Sequence, residues 1–208
     1  MINIRQAESG DKDALYRISL ETGHLGGNAS HLYADPQMMG HIYSAPYLTF
    51  EPDLAFVVTQ DENIVGFCVG TSDTKNFSAK LESDWWPSLR DKYPKPNEDM
   101  RLTWSADERR YQMIHVPEIV PAQITKVYPA HVHLNLLPVV QGQQLGGQLL
   151  KRWTRKAVQS GATAVHIGAN AKNERALHFW RNQGFKDIVL PNSRTVWMGR
   201  RLSDPNDN

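Results

Sequence analysis

The chain holds a single cysteine, Cys68, among its 208 residues, which excludes an internal disulfide framework and a cysteine-rich zinc site. Cys68 lies in the apolar run 64–69 and reads as a buried small hydrophobe, not as a nucleophile. Charge of one sign is also lacking. The 23 lysines and arginines nearly cancel 22 acidic residues, no basic block stands out, and so the electrostatic footprint of a nucleic-acid binder is absent. Long apolar runs are missing too: residues 54–58 and 134–140 are far too short to span a bilayer, and residues 1–12 have no apolar core of a secretory signal. The expectation is a cytoplasmic protein with no nucleic-acid, membrane or metal partner, monomeric or homodimeric. It is read as one domain over 1–208, a size at which roughly 70% of the unfolded surface is buried without staples.

What is present is a readable order of elements. Residues 2–5 alternate as a strand, and Ser9-Gly10-Asp11 offers a cap for a helix carrying Ala14, Leu15, Ile18 and Leu20. Residues 23–52 are irregular in pattern, rich in proline and aromatics, with a short helix near 36–43. Two strands, 54–58 and 64–69, flank the turn Asp61-Glu62-Asn63. A looser stretch, 71–129, carries amphipathic helices near 80–89 and 107–114 separated by the stiff turn Pro94-Lys95-Pro96-Asn97, and reads as a helical insertion. Then follow a strand at 131–137, a glycine loop at 141–147, a helix to Gln159, a strand at 164–168, a helix at 173–182 stopped by Gly184, and strands near 185–190 and 195–200. Strands interleaved with helices indicate a mixed α/β sheet.

The chemistry concentrates in Leu134-Asn135-Leu136-Leu137-Pro138-Val139-Val140-Gln141-Gly142-Gln143-Gln144-Leu145-Gly146-Gly147. A strand runs into a tight loop that opens a helix, so unpaired backbone N–H groups and the helix dipole form a cradle for a pyrophosphate. Gly146 and Gly147 are expected to let phosphate approach the backbone, so that a side chain at Gly146 would remove binding without harming the fold. No Gly-Lys-Ser/Thr follows, and no G-x-G-x-x-G occurs, so neither the nucleoside-triphosphate loop nor the dinucleotide fingerprint applies.

This loop resembles the Q/R-x-x-G-x-G/A segment of the GNAT superfamily of N-acetyltransferases. Asn173-Glu174-Arg175-Ala176-Leu177-His178-Phe179-Trp180-Arg181-Asn182-Gln183-Gly184-Phe185 resembles that family's N-x-x-A-x-x-F-Y-x-x-x-G-F, in the family's order. Residues 64–71, Trp86-Pro87, Lys92-Tyr93-Pro94-Lys95-Pro96, Tyr33-Ala34-Asp35-Pro36 and residues 40–47 are similar to the C-terminal acetyltransferase-like domain of O-GlcNAcases and to its stand-alone bacterial relatives. The resemblance implies a mixed, mostly antiparallel sheet of about seven strands flanked by helices, with a V-shaped split between central strands. It implies an N-acetyltransferase that uses acetyl-CoA as donor and an unidentified amine as acceptor, transferring directly because Cys68 is a poor nucleophile. The alternative is a non-catalytic acyl-CoA-binding or partner-binding module. That alternative draws on Gln144, which stands where the family often has glycine, and on Trp180, which replaces a tyrosine that protonates the leaving thiolate.

The resemblance carries Leu136 to the amide that holds the thioester, with Leu137 and Val139 nearby, and Gln141, Gly142, Gln143, Gln144, Leu145, Gly146 and Gly147 to the phosphates. Asn170 and Asn173 lie where pantetheine passes, Asn173 being equally readable as a helix cap. Trp180 is expected as a wall of the coenzyme channel or as core. Strand parity puts His131, His133 and Asn135 on one face, a polar set unusual for a central strand and suited to a solvated cleft. His131 and His133 are base candidates or structural histidines, with His166 beside them, and Glu118 is a base candidate or a solvated loop carboxylate. Asp35, His41, Tyr43 and Tyr47, with Trp86, are the acceptor-pocket candidates, against loop and core packing. The length beyond a minimal fold falls in 23–52 and 71–129, where acceptor choice is expected to be set. Near-neutral charge assigns coenzyme binding to backbone amides instead of a basic patch.

Overall fold

The computed structural model describes residues 1–191 and 195–202. Strand β1 (Ile2–Gln6) leads into α1 (Lys12–Glu21), whose entry is fixed by the Asp11 carboxylate. It accepts from the Glu8 amide at 2.8 Å and from Arg5 at 2.6 and 2.9 Å. The irregular segment holds two short helices where one was expected, α2 (Met38–Tyr43) and α3 (Ala45–Phe50), the second begun by a proline in its first turn. Strands β2 (Ala55–Gln60) and β3 (Asn63–Thr71) form a hairpin through Asp61 and Glu62, both at positive φ (48° and 70°), a type I′ turn built without glycine.

Between β3 and β4 lie α4 (Thr74–Lys80), a π-helical turn (Leu81–Trp85), α5 (Trp86–Lys92), α6 (Ala106–His115) and α7 (Ala122–Thr125). The first three run continuously, longer than periodicity indicated, because Asp73 caps the start through the Lys75 and Asn76 amides. Ser105 and Glu108 close a reciprocal capping box on α6. The chain continues with β4 (Ala130–Leu136), α8 (Leu145–Gln159), β5 (Ala164–Asn170), α9 (Glu174–Asn182), β6 (Lys186–Ile188) and β7 (Thr195–Arg201).

The seven strands form one sheet in the order β1-β2-β3-β4-β5-β7-β6. Every adjacent pair is antiparallel except β4 and β5, the pair joined by α8. Helix α8 covers one face with Leu149, Leu150, Trp153 and Ala157, all nearly inaccessible. Trp153 packs so closely on β3 that a Cβ at Gly70 would lie 2.8 Å from its ring. Helices α1 to α7 cover the other face, with a second small core of Met38, Trp86, Leu89, Tyr93 and Ile114. Among the described residues, no helix is long and apolar enough to cross a membrane.

Candidate active site

The parallel pair at the sheet centre is short. Strand β4 meets β5 only at Ala130↔Val165 and His131↔His166, while its ladder with β3 continues to Leu136. Antiparallel ladders alternate, and the Leu137 N–H donates to the Val65 carbonyl at 2.8 Å. Odd-numbered residues of β4 therefore bond to β3, and Leu134 and Leu136 turn their N–H groups toward the gap. Leu136 stands where the thioester-binding amide was expected. Leu137 does not: its amide is taken by Val65, its carbonyl by the Val140 amide, and its side chain is buried. Pro138 ends the strand, and Gln141 Nε2 closes the corner on the Leu136 carbonyl at 2.6 Å.

Beyond this corner, Gly142 (φ 78°) and Gln144 (φ 61°) take left-handed backbone and turn the chain into α8. The first intrahelical bond is Gln148 N–H to the Gln144 carbonyl, so the amides of Leu145, Gly146 and Gly147 point out of the helix end without helical partners. Gln144 is exposed, and its left-handed φ explains why glycine suits the position. Gly146 corrects an expectation. A Cβ there would lie 2.9 Å from the Phe179 ring of α9, so the missing side chain serves helix–helix approach, while the Gly146 N–H stays among the unpartnered amides of the helix end.

A cavity of about 1220 Å³ runs along this end, lined by Leu134 and Leu136 of β4, the first turns of α8, and Ala176, Phe179 and Trp180 of α9. Trp180 is nearly buried, edge-on to Phe179 and Phe185, so it is at once wall and core. Val139 and Gln143 are exposed beside the loop. Asn173 lines the cavity while capping α9 through the Ala176 amide; Asn170 accepts from the Lys172 amide at the end of β5. Among the described residues five cations line the cavity, Lys151, Arg155, Arg175, Arg200 and Arg201, and no carboxylate does. Composition gave no sign of a basic patch, and these residues form one beside the loop. Their signal lay in α8's polar face, where Gln148, Lys151 and Arg155 recur three and four residues apart. Arg200, partly buried, bonds Thr154 and the Gln183 carbonyl and leaves a buried Nε without a partner among the described residues.

The opposite face of β4 carries the histidines. The Tyr47 hydroxyl lies 2.7 Å from His131 Nε2 and 3.0 Å from His133 Nε2. Thr74 donates to the Pro129 carbonyl, so its oxygen accepts from His131 Nδ1–H at 2.7 Å. Proton roles then follow along the chain: Tyr47 donates to His131 Nε2 and accepts from His133 Nε2–H, leaving the His133 Nδ1 lone pair without a partner among the described residues. Each ring keeps a partly exposed edge, but Tyr47, Phe77 and the facing imidazoles wall the pair. Burial, reinforced by His166, pushes His133 down to about 4, and burial with both neighbouring histidines pushes His131 well below its usual range. Both are neutral at pH 7. His166, inaccessible, donates to the Tyr128 carbonyl at 2.7 Å, and Asn135 Nδ2 donates to Thr22 at 2.6 Å.

The acceptor candidates divide. Tyr43 and Tyr47 pack on His133, with ring centroids 5.9 and 5.2 Å away. Asp35, His41 and Trp86 do not join them. Asp35 accepts from Tyr93 at 2.5 Å and from Lys92 at 2.9 Å, bonds that hold it down to about 2 against the effect of burial. His41 is buried against Tyr16, Trp85 and Tyr93, and Trp86 fills the second core. Their aromatic and polar character serves helix packing. Glu118 is exposed on the loop after α6 and acts on Tyr43 and Arg110 only through its field. Arg110, overlooked in the sequence, approaches Tyr43 from α6. Cys68 is fully buried and its thiol pushed up by burial.

A central strand that leaves its parallel neighbour, amides facing the gap, and a basic helix end below it define an acyl-coenzyme A-dependent transferase. The chain belongs to the acetyltransferase (GNAT) family, whose model matches residues 28–185. Its fold superposes on that of SsHAT with a TM-score of 0.89 at 32% identity, covering 98% of this chain and 99% of that one. PH1933 from Pyrococcus horikoshii OT3 shares the fold at 0.60 and 17% identity, over 98% and 99% of the two chains. So does yncA of Salmonella typhimurium, a putative acetyltransferase solved with its cofactor acetyl-CoA, at 0.54 and 15%, over 97% and 94%. The curated Protein O-GlcNAcase of Rattus norvegicus is 21% identical over 179 residues, 86% of this chain and 19% of that protein. This chain therefore spans about a fifth of that relative's length.

Proposed function

We propose that this protein acetylates a small amine directly, with the donor held on the α8–α9 side of β4 and the acceptor entering from the histidine side. The observation that carries this reading is the two-faced strand. Within two residues, β4 presents a gap-facing amide at Leu134 and Leu136 and a free imidazole lone pair at His133. The cavity fits a coenzyme. Its helix-end amides and five cations suit phosphates, the unpartnered Arg200 Nε offers a further donor, and the gap beside Leu136 suits an extended chain. Acetyl-CoA supplies the acetyl group as an activated thioester. Lys151, Arg155, Arg175 and the amides of Leu145 to Gly147 would hold its phosphates, and the Leu136 N–H would be free to polarise the thioester carbonyl.

On the acceptor side, neutral His133 does not repel the acceptor. The amine, having first released its extra proton to solvent, would attack the thioester carbonyl, the C–S bond breaking as the C–N bond forms. Nδ1 would take the proton the nitrogen loses, and the leaving thiolate would take one from solvent. Tyr47 fixes the tautomer that exposes this atom. Desolvation at His131 opposes charge there, so the proton leaves through Nδ1 to solvent instead of travelling inward. His133 is thus the base, His131 and Tyr47 its positioning residues. Cys68 takes no part. Coenzyme binding followed by calorimetry and thiol release followed with an amine panel test the reading together. His133→Ala is expected to lower kcat by about 10²-fold with unchanged acetyl-CoA affinity. Coenzyme binding without thiol release for any amine would instead favour a non-catalytic acyl-CoA-binding module, the reading to which the tyrosine-free Trp180 position points.

A further inference from the structure

Arg110, on the acceptor side of β4, has no carboxylate partner among the described residues. It projects from α6 and is half-buried. Its Nε donates to the Tyr33 hydroxyl at 3.1 Å, and Nη1 donates to the Tyr43 hydroxyl at 3.1 Å and meets Met113 Sδ at 2.8 Å. All three partners are uncharged. Nη2 has no partner among the described residues and keeps access to solvent. Of the acidic groups around it, Asp107, one turn earlier on α6, accepts from the Ala34 amide at Oδ2, has a buried Oδ1 without a partner and forms no ion pair with Arg110, and Glu118 contributes only at a distance. A desolvated guanidinium normally meets an anion, because its lost hydration is otherwise uncompensated. Here its orientation is set in advance by two phenols, and its planar fork matches an oxyanion.

Its location supplies the rest. The guanidinium carbon sits 5.7 Å from the Tyr43 ring centroid, and that ring sits 5.9 Å from the His133 ring. One aromatic ring therefore separates the proposed base from the fixed cation, and each of the three side chains is partly exposed. We infer that the acceptor amine carries an anionic group, carboxylate or phosphate, that Arg110 binds while its nitrogen lies at His133. This inference rests on the acyl-transfer reading above and adds the class of acceptor to it. Tyr33 and Tyr43 act as positioning residues that aim the guanidinium.

Matched amine pairs test it in the full-length protein: γ-aminobutyrate against butylamine for a carboxylate, and O-phosphoethanolamine against ethanolamine for a phosphate. Thiol release in the wild type is expected to give a kcat/KM ratio of about tenfold or more in favour of at least one anionic member, and the pair that shows it identifies the anion. In Arg110→Gln that ratio is expected to fall to near unity, and in Arg110→Lys to an intermediate value, because a point charge without the fork remains. Equal wild-type rates within both pairs overturn the inference without any variant, so a folding defect in Arg110→Gln does not shield it. A ratio preserved in Arg110→Gln or absent altogether also overturns it. Failure of every amine to release thiol, with acetyl-CoA bound in calorimetry, overturns the acyl-transfer reading itself and this inference with it.

Discussion

Tyr47 has one hydroxyl proton and two imidazole neighbours, and its choice between them sets the chemistry of His133. Because Thr74 is committed to the Pro129 carbonyl, His131 must present Nδ1–H to it, and Tyr47 must donate to His131. The same burial that keeps these rings neutral makes them sensitive to acid. His133 and the buried His41 both lie near 4 in the folded protein, against 6.5 when unfolded. Between those values the unfolded chain binds more protons than the native one, so stability is complete above about 6.5 and is lost as pH falls toward 4. For His41, 7% exposed, the full loss is ~3 kcal/mol. His133 contributes less, because solvent reaches part of its ring. Thermal melts between pH 7 and 4.5 are expected to show Tm falling by several degrees. A flat profile over that window would mean that the rings are not desolvated as described.

At the scale of elements, the corner from β4 into α8 and its contact with α9 hold the coenzyme end together, and each part was readable to a different degree. The alternation of His131, His133 and Asn135 against Val132, Leu134 and Leu136 is a local pattern, and it places both faces of β4 correctly from the sequence. The glycine loop is equally local. What Gly146 does is not, because the ring it accommodates, Phe179, lies on another helix. The same reason hid the separation of Asp35 and His41 from Tyr43. Their partners Tyr93, Lys92, Tyr16 and Trp85 come from helices whose packing no periodicity specifies. Two substitutions separate backbone from packing roles. Gln144→Gly removes a side chain from left-handed backbone and is expected to stabilise by up to about 1 kcal/mol while retaining coenzyme affinity. Gly146→Val pushes into Phe179 and is expected to cost ~1–3 kcal/mol even without coenzyme. Denaturant melts of the coenzyme-free proteins check both; a Gly146→Val variant of wild-type stability that has lost only coenzyme affinity would restore the phosphate role.

Over the whole molecule, a formal net charge of +1 conceals a strong separation. Acidic side chains are spent on exposed pairs and caps elsewhere, such as Glu82 with Arg90, Asp187 with Arg181 and Glu108 on the α6 end, while among the described residues the cavity keeps five cations and no carboxylate. Composition could not reveal this, since the average erases it; only the fold brings Arg175 of α9 and Arg200 of β7 to the side of α8 that carries Lys151 and Arg155. A cleft lined with one sign of charge concentrates an oppositely charged ligand and strengthens its binding in a way that salt screens. Lys151 and Arg155 are exposed and enter no salt bridge among the described residues, so reversing them disturbs little of the fold. The Lys151→Glu, Arg155→Glu double variant is therefore expected to keep its Tm without ligand within a degree or two. Its acetyl-CoA affinity is expected to fall by about 10–100-fold at low ionic strength. Calorimetry at 20 mM and 300 mM salt supplies the check: wild-type affinity should drop as salt rises, and the variant's should change far less, because the charges that salt screens are gone. Wild-type affinity independent of salt would leave the helix-end amides as the whole of the phosphate site.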